Sequence, residues 1–203
     1  MELKNALVQI DEIRAQMART QLFRGYRSVT AAVSAVLAVL AGLVQASYLP
    51  EPTRHPKTYV ILWTSVAGLS LILVGAEMVL RARRLKSRLQ SELTMQAVEQ
   101  FMPALVAGGV LGYVIPTYAP ESISLLPGLW LMVFGLGVFS SCRVLPRATF
   151  WIGAYYLLAA VLCLVLARGP YALCSGAMGI PFAVGQALAA VVLYVNLERR
   201  HGE

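Results

Sequence analysis

The stretch "LVGAEMVLRARRLKSR" (residues 73–88) sets one carboxylate, Glu77, in an apolar run and then five positive charges within eight residues. A carboxylate inside an apolar span is costly enough that a proton or cation site is the first chemistry to consider. Glu77 also stands four residues before Arg81, the favourable order for an intrahelical ion pair, and its side chain can reach toward the membrane interface. The other strongly polar groups in apolar runs are Gln45, Gln186 and Asn196, whose ordinary role is to bridge helices. Pro127 and Pro181 interrupt apolar segments, where a lost N–H frees a carbonyl and kinks a helix; broken helices of this kind line substrate sites in transporters. The histidines are His55 and His201, neither within an apolar run, so a bis-histidine haem site and an HExxH zinc site are excluded. GxSxG, GxxxxGK[ST] and a helix-opening GxGxxG do not occur. Cys142, Cys163 and Cys174 have neither metal-ligand nor disulfide spacing and read as small apolar residues. No catalytic residue, cofactor or metal is expected, and the chain does not read as an enzyme.

The elements that hold these residues are membrane spans. With 58% hydrophobic and 13% charged residues, the 203-residue chain lies outside the soluble globular range, and its mean hydropathy of +0.68 agrees. Apolar segments occupy Ser28–Tyr48, Thr58–Leu80, Pro103–Tyr118, Ser122–Cys142, Ala148–Ala167 and Ala172–Asn196, most of them near the ~20 residues that cross a bilayer as helix. They lack the alternation of barrel strands. The net charge of +7 elsewhere suggests nucleic acid, but here the cations cluster beside the spans, so no direct nucleic-acid binding is expected. Of the Lys and Arg residues, fourteen fall on the side holding the N-terminus, residues 81–102, the 143–147 loop and the C-terminus, and three (Arg54, Lys57, Arg168) on the other. That split marks the cytoplasmic face and predicts both termini inside, with an even number of spans. The small residues of "AGLVQAS" (41–47) resemble a cleavage site, but twenty-seven residues containing Glu2, Asp11 and Glu12 precede the first apolar segment, so a retained span is expected.

The predicted fold is therefore all-α: one polytopic membrane domain over 1–203, with six transmembrane helices and two cytoplasmic amphipathic helices. The first amphipathic helix lies within 1–27 and carries Leu3, Ala6, Ile10, Ile13 and Met17 on one face. The second occupies 81–102, with Leu85, Leu89, Leu93, Ala97 and Phe101 recurring every four residues until Pro103, which suits the first turn of a new helix. The candidate interaction surface is Ile10, Ile13, Met17, Leu85, Leu89 and Leu93. Such faces cover each other, lie on the inner leaflet, or take a protein partner or second copy. The opposite connections, 49–57, 115–122 and 168–181, all carry proline, and the spans pair as three hairpins followed by a tail at 197–203. Gly108 and Gly112 form GxxxG, and Ala38, Gly42 and Ala46 a small-residue row; both suit close helix packing, within a chain or between copies.

The stretches "QLFRGYRS", "EQFMPALVAGGVL", "LPGLWLMVFGLGVF", "RVLPRA" and "AMGIPFAVGQ" resemble a functionally uncharacterised family of small bacterial six-helix inner-membrane proteins. The resemblance implies the same fold over nearly the whole chain and a cytoplasmic partner, and carries over no activity or catalytic residue. The expected function is a non-enzymatic interaction or sensory role through the cytoplasmic helices, with the lipid bilayer and a protein partner or homo-oligomer as contacts. The alternative is a small permease or channel for a neutral or apolar solute near Pro127 and Pro181, with Glu77, Arg81 and Gln186 as further candidate functional residues.

Overall fold

The computed structural model describes residues 28–85, 88–142 and 148–198, and side chains within them except at 81–85, 88–94, 170 and 197–198. The N-terminal amphipathic helix with Ile10, Ile13 and Met17 lies outside the described residues, and Arg81, Leu85, Leu89 and Leu93 outside the described side chains.

Every regular element described is helical: α1 Ser28–Tyr48, α2 Pro56–Leu85, α3 Arg88–Tyr118, α4 Leu126–Ser141, α5 Thr149–Leu166 and α6 Ser175–Leu193. Short 3₁₀ turns at Pro120–Leu125 and Gly169–Tyr171 join α3 to α4 and α5 to α6, and a π turn, Tyr194–Glu198, extends α6. Six helices are long and apolar enough to cross a membrane. A helix satisfies its backbone groups internally, which suits apolar runs of this length to a medium without water.

Each helix packs against its chain neighbours, and the ring closes where α1 meets α6. That closing pair and the α4–α5 pair are the most extensive. Small residues make this possible. The buried face of α1 is Ser28, Ala31, Ser34, Ala38, Ala41 and Gln45, and Gly42 on the same helix comes within backbone contact of Gly179 on α6. A Cβ on Gly179 would meet the Ala38 carbonyl and Gly42 Cα at 3.5 Å, so the two backbones touch over one turn. Gly128 and Gly135 of α4 do the same against Leu164, Ala160, Tyr156 and Gly153 of α5.

The core has two layers. Toward the end carrying the 49–55 and 167–174 connections it comprises Tyr59, Trp63, Ile115, Leu126, Trp130, Leu173 and Met178. Toward the opposite end it comprises Ala31, Leu131, Val138, Ile152, Tyr156, Ala160, Ala189 and Leu193. Against this second layer Phe101, Phe134, Tyr156 and Phe182, from α3, α4, α5 and α6, form one aromatic cluster with centroid separations of 4.7–5.5 Å, most of the pairs edge to face. The outward faces are apolar, and exposed aromatics collect at two levels: Tyr48, Tyr118 and Tyr171 at one end, Phe150, Trp151 and Tyr194 at the other.

Two proline expectations are corrected. Pro103 does not begin a helix; α3 runs unbroken from Arg88 to Tyr118 with Pro103 inside it. Phe101 and Ala104, on either side of the proline, both press on Gly137 of α4, so tertiary contact holds the helix through the one backbone bond that proline removes. Pro127 lies within the apolar span Pro120–Ser141, but at a helix start and not inside a helix. It sits in the first turn of α4, after the 3₁₀ turn, where its missing N–H has no intrahelical acceptor to lose.

Candidate functional site

Three polar nodes interrupt the apolar interior. The deepest is at Gln45, only 2% exposed although its side chain is an amide. Its Nε2 donates to the Leu173 carbonyl at 2.6 Å, and its Oε1 accepts from the Trp63 indole N–H at 2.8 Å. One side chain thus ties α1 to α2 and to the turn before α6, the bridging role its position suggested. A related tie joins α4 to α3, where the Trp130 indole donates to the Gly108 carbonyl at 2.9 Å. Gly112 leaves the room for that ring, since a Cβ there would stand 3.1 Å from Trp130. The GxxxG pair therefore cradles a tryptophan of the same chain.

The second node is Glu77. Its carboxylate accepts a hydrogen bond from the Thr30 hydroxyl, joining the last third of α2 to the first turn of α1. Glu77 is half-buried, and this bond crosses between helices rather than running along one. The expected pairing with Arg81 falls outside the described side chains.

The third node surrounds Pro181, inside α6. A proline at this position leaves the carbonyl of residue 177 without its helical donor. The Cys163 thiol of α5 lies 3.8 Å from that Ala177 carbonyl, and the Tyr155 hydroxyl donates to the Pro181 carbonyl at 3.2 Å. Both donors come from α5, so the side chains of one helix satisfy the proline-disturbed backbone of the next. Beside them runs an apolar groove of about 250 Å³, lined by Tyr155, Leu158, Leu162, Cys163 and Pro181 among others.

The candidate residues Glu77, Pro127, Pro181 and Gln186 are not brought together. Pro127 is buried at the start of α4 beside the Tyr59 layer, Glu77 faces α1 near the opposite end, and Gln186 is half-buried on α6. Asn196 bridges no helices through its amide nitrogen, which donates to the Val192 carbonyl of its own helix at 2.8 Å. Thr30, Trp63, Trp130 and Tyr155 escaped sequence reasoning, although a span-borne Trp or Tyr carries a donor that must find an acceptor, and that was the available signal. Among the described residues no three of His, Cys, Asp and Glu gather as metal ligands.

No family model matches the chain, nor does any curated protein or solved structure.

Proposed function

We propose that this chain is a non-enzymatic integral membrane protein of the bacterial inner membrane, whose six-helix body anchors cytoplasmic amphipathic helices that engage a soluble partner or a second copy. The observation that carries this reading is a four-ring aromatic cluster. Phe101, Phe134, Tyr156 and Phe182, from four different helices, pack with centroids 4.7–5.5 Å apart, and close packing of this kind favours an anchoring body over a solute path. The two levels of exposed aromatics suit the two interfaces of a bilayer, and the fourteen-to-three division of Lys and Arg favours cytoplasmic termini. Ala97 is buried and Phe101 packs on the core, so the pattern that Leu89 and Leu93 begin on α3 ends as its inward face, while Leu85 closes α2. A partner gripping its start would pull on a helix continuous with the core.

A photo-crosslinking amino acid at position 13 or 89 in intact cells tests the proposal. Discrete adducts are expected, lost in Ile13→Asp and Leu89→Asp variants that still insert, because an unpaired charge on an apolar contact face is strongly disfavoured. Uptake of a neutral solute into proteoliposomes that rises when Phe134 is replaced by Ala would support the permease instead.

A further inference from the structure

The apolar groove between α5 and α6 lies on the outside of the bundle, where Leu158, Leu162 and Leu166 are exposed. These two helices meet less extensively than either does with its other neighbour, α4 or α1. Gly185 lets α6 come against the Tyr156 ring at one level, and the groove opens beyond it, beside Pro181 and Ala177. Its α5 wall runs from Tyr155 through Leu158 and Leu162 to Leu166, spacings that fall on a single helix face. From Tyr155 to Leu166 is about 17 Å of helix axis, close to half of the ~30 Å hydrocarbon core. The groove therefore crosses one leaflet and ends near the midplane.

The two polar side chains on its walls are already committed to backbone: the Tyr155 hydroxyl donates to the Pro181 carbonyl at 3.2 Å, and the Cys163 thiol lies 3.8 Å from the Ala177 carbonyl. A polar solute would find no partner there. A transmembrane helix of another chain is about 10 Å across and passes through both leaflets, which does not match a slot that stops halfway. A lipid acyl chain matches both the length and the chemistry. At the open end Arg168 directly follows Leu166 and Ala167 and is exposed. Its Nε donates to the Leu164 carbonyl at 3.5 Å, which holds the guanidinium at the last turn of α5, and among the described residues no carboxylate pairs with it. The exposed Tyr171 nearby suits the headgroup level. We propose that this groove seats one acyl chain of an anionic phospholipid, phosphatidylglycerol, whose phosphate pairs with the Arg168 guanidinium. A zwitterionic headgroup brings its own ammonium to the phosphate, so an unpaired guanidinium favours the anionic lipid. The reading needs membrane insertion only and is independent of any partner at the cytoplasmic helices.

The test titrates the full-length protein in detergent with phosphatidylglycerol or with phosphatidylcholine of the same chains and follows the bound lipid by native mass spectrometry. The wild type is expected to retain a single phosphatidylglycerol under conditions that strip phosphatidylcholine. Arg168→Gln should bring retention down to the phosphatidylcholine level. Leu162→Trp, which fills the slot from an exposed position, should lose the lipid, while Val106→Trp on the exposed face of α3 should retain it as the wild type does. A readout that needs no variant is phosphatidylglycerol carrying a diazirine near the end of one chain: photolysis in nanodiscs should label the protein around Tyr155, Leu158 and Pro181. Four outcomes overturn the proposal: equal retention of the two lipids by the wild type, an Arg168→Gln variant that keeps the preference, labelling spread evenly over the outward faces of all helices, as bulk lipid alone would give, or a wild-type dimer that Leu162→Trp dissociates, which would assign the groove to a second copy.

Discussion

The α1–α6 and α4–α5 pairs and the α2–α3 hairpin are built of similarly apolar sequence and yet are held by different forces. In the first two, glycine brings helices close: at the α1–α6 contact a Cβ on Gly42 or Gly179 would meet the facing backbone at 3.5–3.8 Å, and in α4–α5 one on Gly128 would stand 2.5 Å from Leu164; between α6 and α5 one on Gly185 would stand 2.3 Å from the Tyr156 ring. On the hairpin, Gly68, Gly75 and Gly109 have nothing within 4 Å of the same position. The hairpin adds polar ties, Trp63 to Gln45, Thr30 to Glu77 and Trp130 to Gly108, to the close contact that Phe101 and Ala104 of α3 make at Gly137. Where lipid is as apolar as the side chains, association cannot come from hiding apolar surface, so it comes from close packing in one region and from polar ties in the other.

Glycine substitution breaks the comparison most sharply. Gly185→Ala drives a methyl into a Tyr156 ring that is itself 0% exposed, and a cost of about 3 kcal/mol is expected, the upper end of overpacking. Gly75→Ala meets open space and removes a flexible residue from a helix interior, so it should stabilise by up to about 1 kcal/mol. Unfolding in SDS titrations of the two purified variants measures the contrast. Equal effects would mean that the hairpin packs as tightly as the body.

Gln45→Leu comes next, because it severs a tie while preserving apolar bulk. It leaves the Trp63 N–H and the Leu173 carbonyl without the partner they share, and about 2 kcal/mol should be lost. Faster protease cleavage at residues 49–55 should accompany the loss, since α2 is then free to part from α1 at that end. In the same layer Tyr59→Phe removes a buried hydroxyl that has no acceptor, and a gain of about 1 kcal/mol is expected by the same unfolding measurement.

How much of this was legible beforehand follows the same division. Runs such as Ser28–Tyr48 announced their helices, because length and apolarity alone decide what can span. Gln45 announced a bridge, because an amide in an apolar run must find partners. The prolines misled: Pro103 and Pro127 carry the same local signal, and tertiary contact with Gly137 in one case and a preceding 3₁₀ turn in the other decided where the helices begin. Partners distant in the chain, as Thr30 is from Glu77, have no local signature at all.

The Glu77 tie gives the smallest expected effect and the most informative one. A glutamine at 77 keeps an oxygen that accepts from Thr30, so Glu77→Gln should cost about 0–1 kcal/mol. Thr30→Val and Glu77→Leu each remove the bond, and the double variant should be no less stable than the additive sum, with a coupling of about 0.6 kcal/mol, the usual strength of such bonds in lipid. A carboxylate kept for structure alone would make Glu77→Gln indistinguishable from wild type in liposomes under an imposed pH gradient, and that is the expected result. A carboxylate that also carries a proton or cation would instead give a gradient-driven flux that the amide, unable to exchange a proton, abolishes without loss of fold. The hydrogen bond to Thr30 favours the first outcome, because it gives the carboxylate a structural role in securing one end of the hairpin.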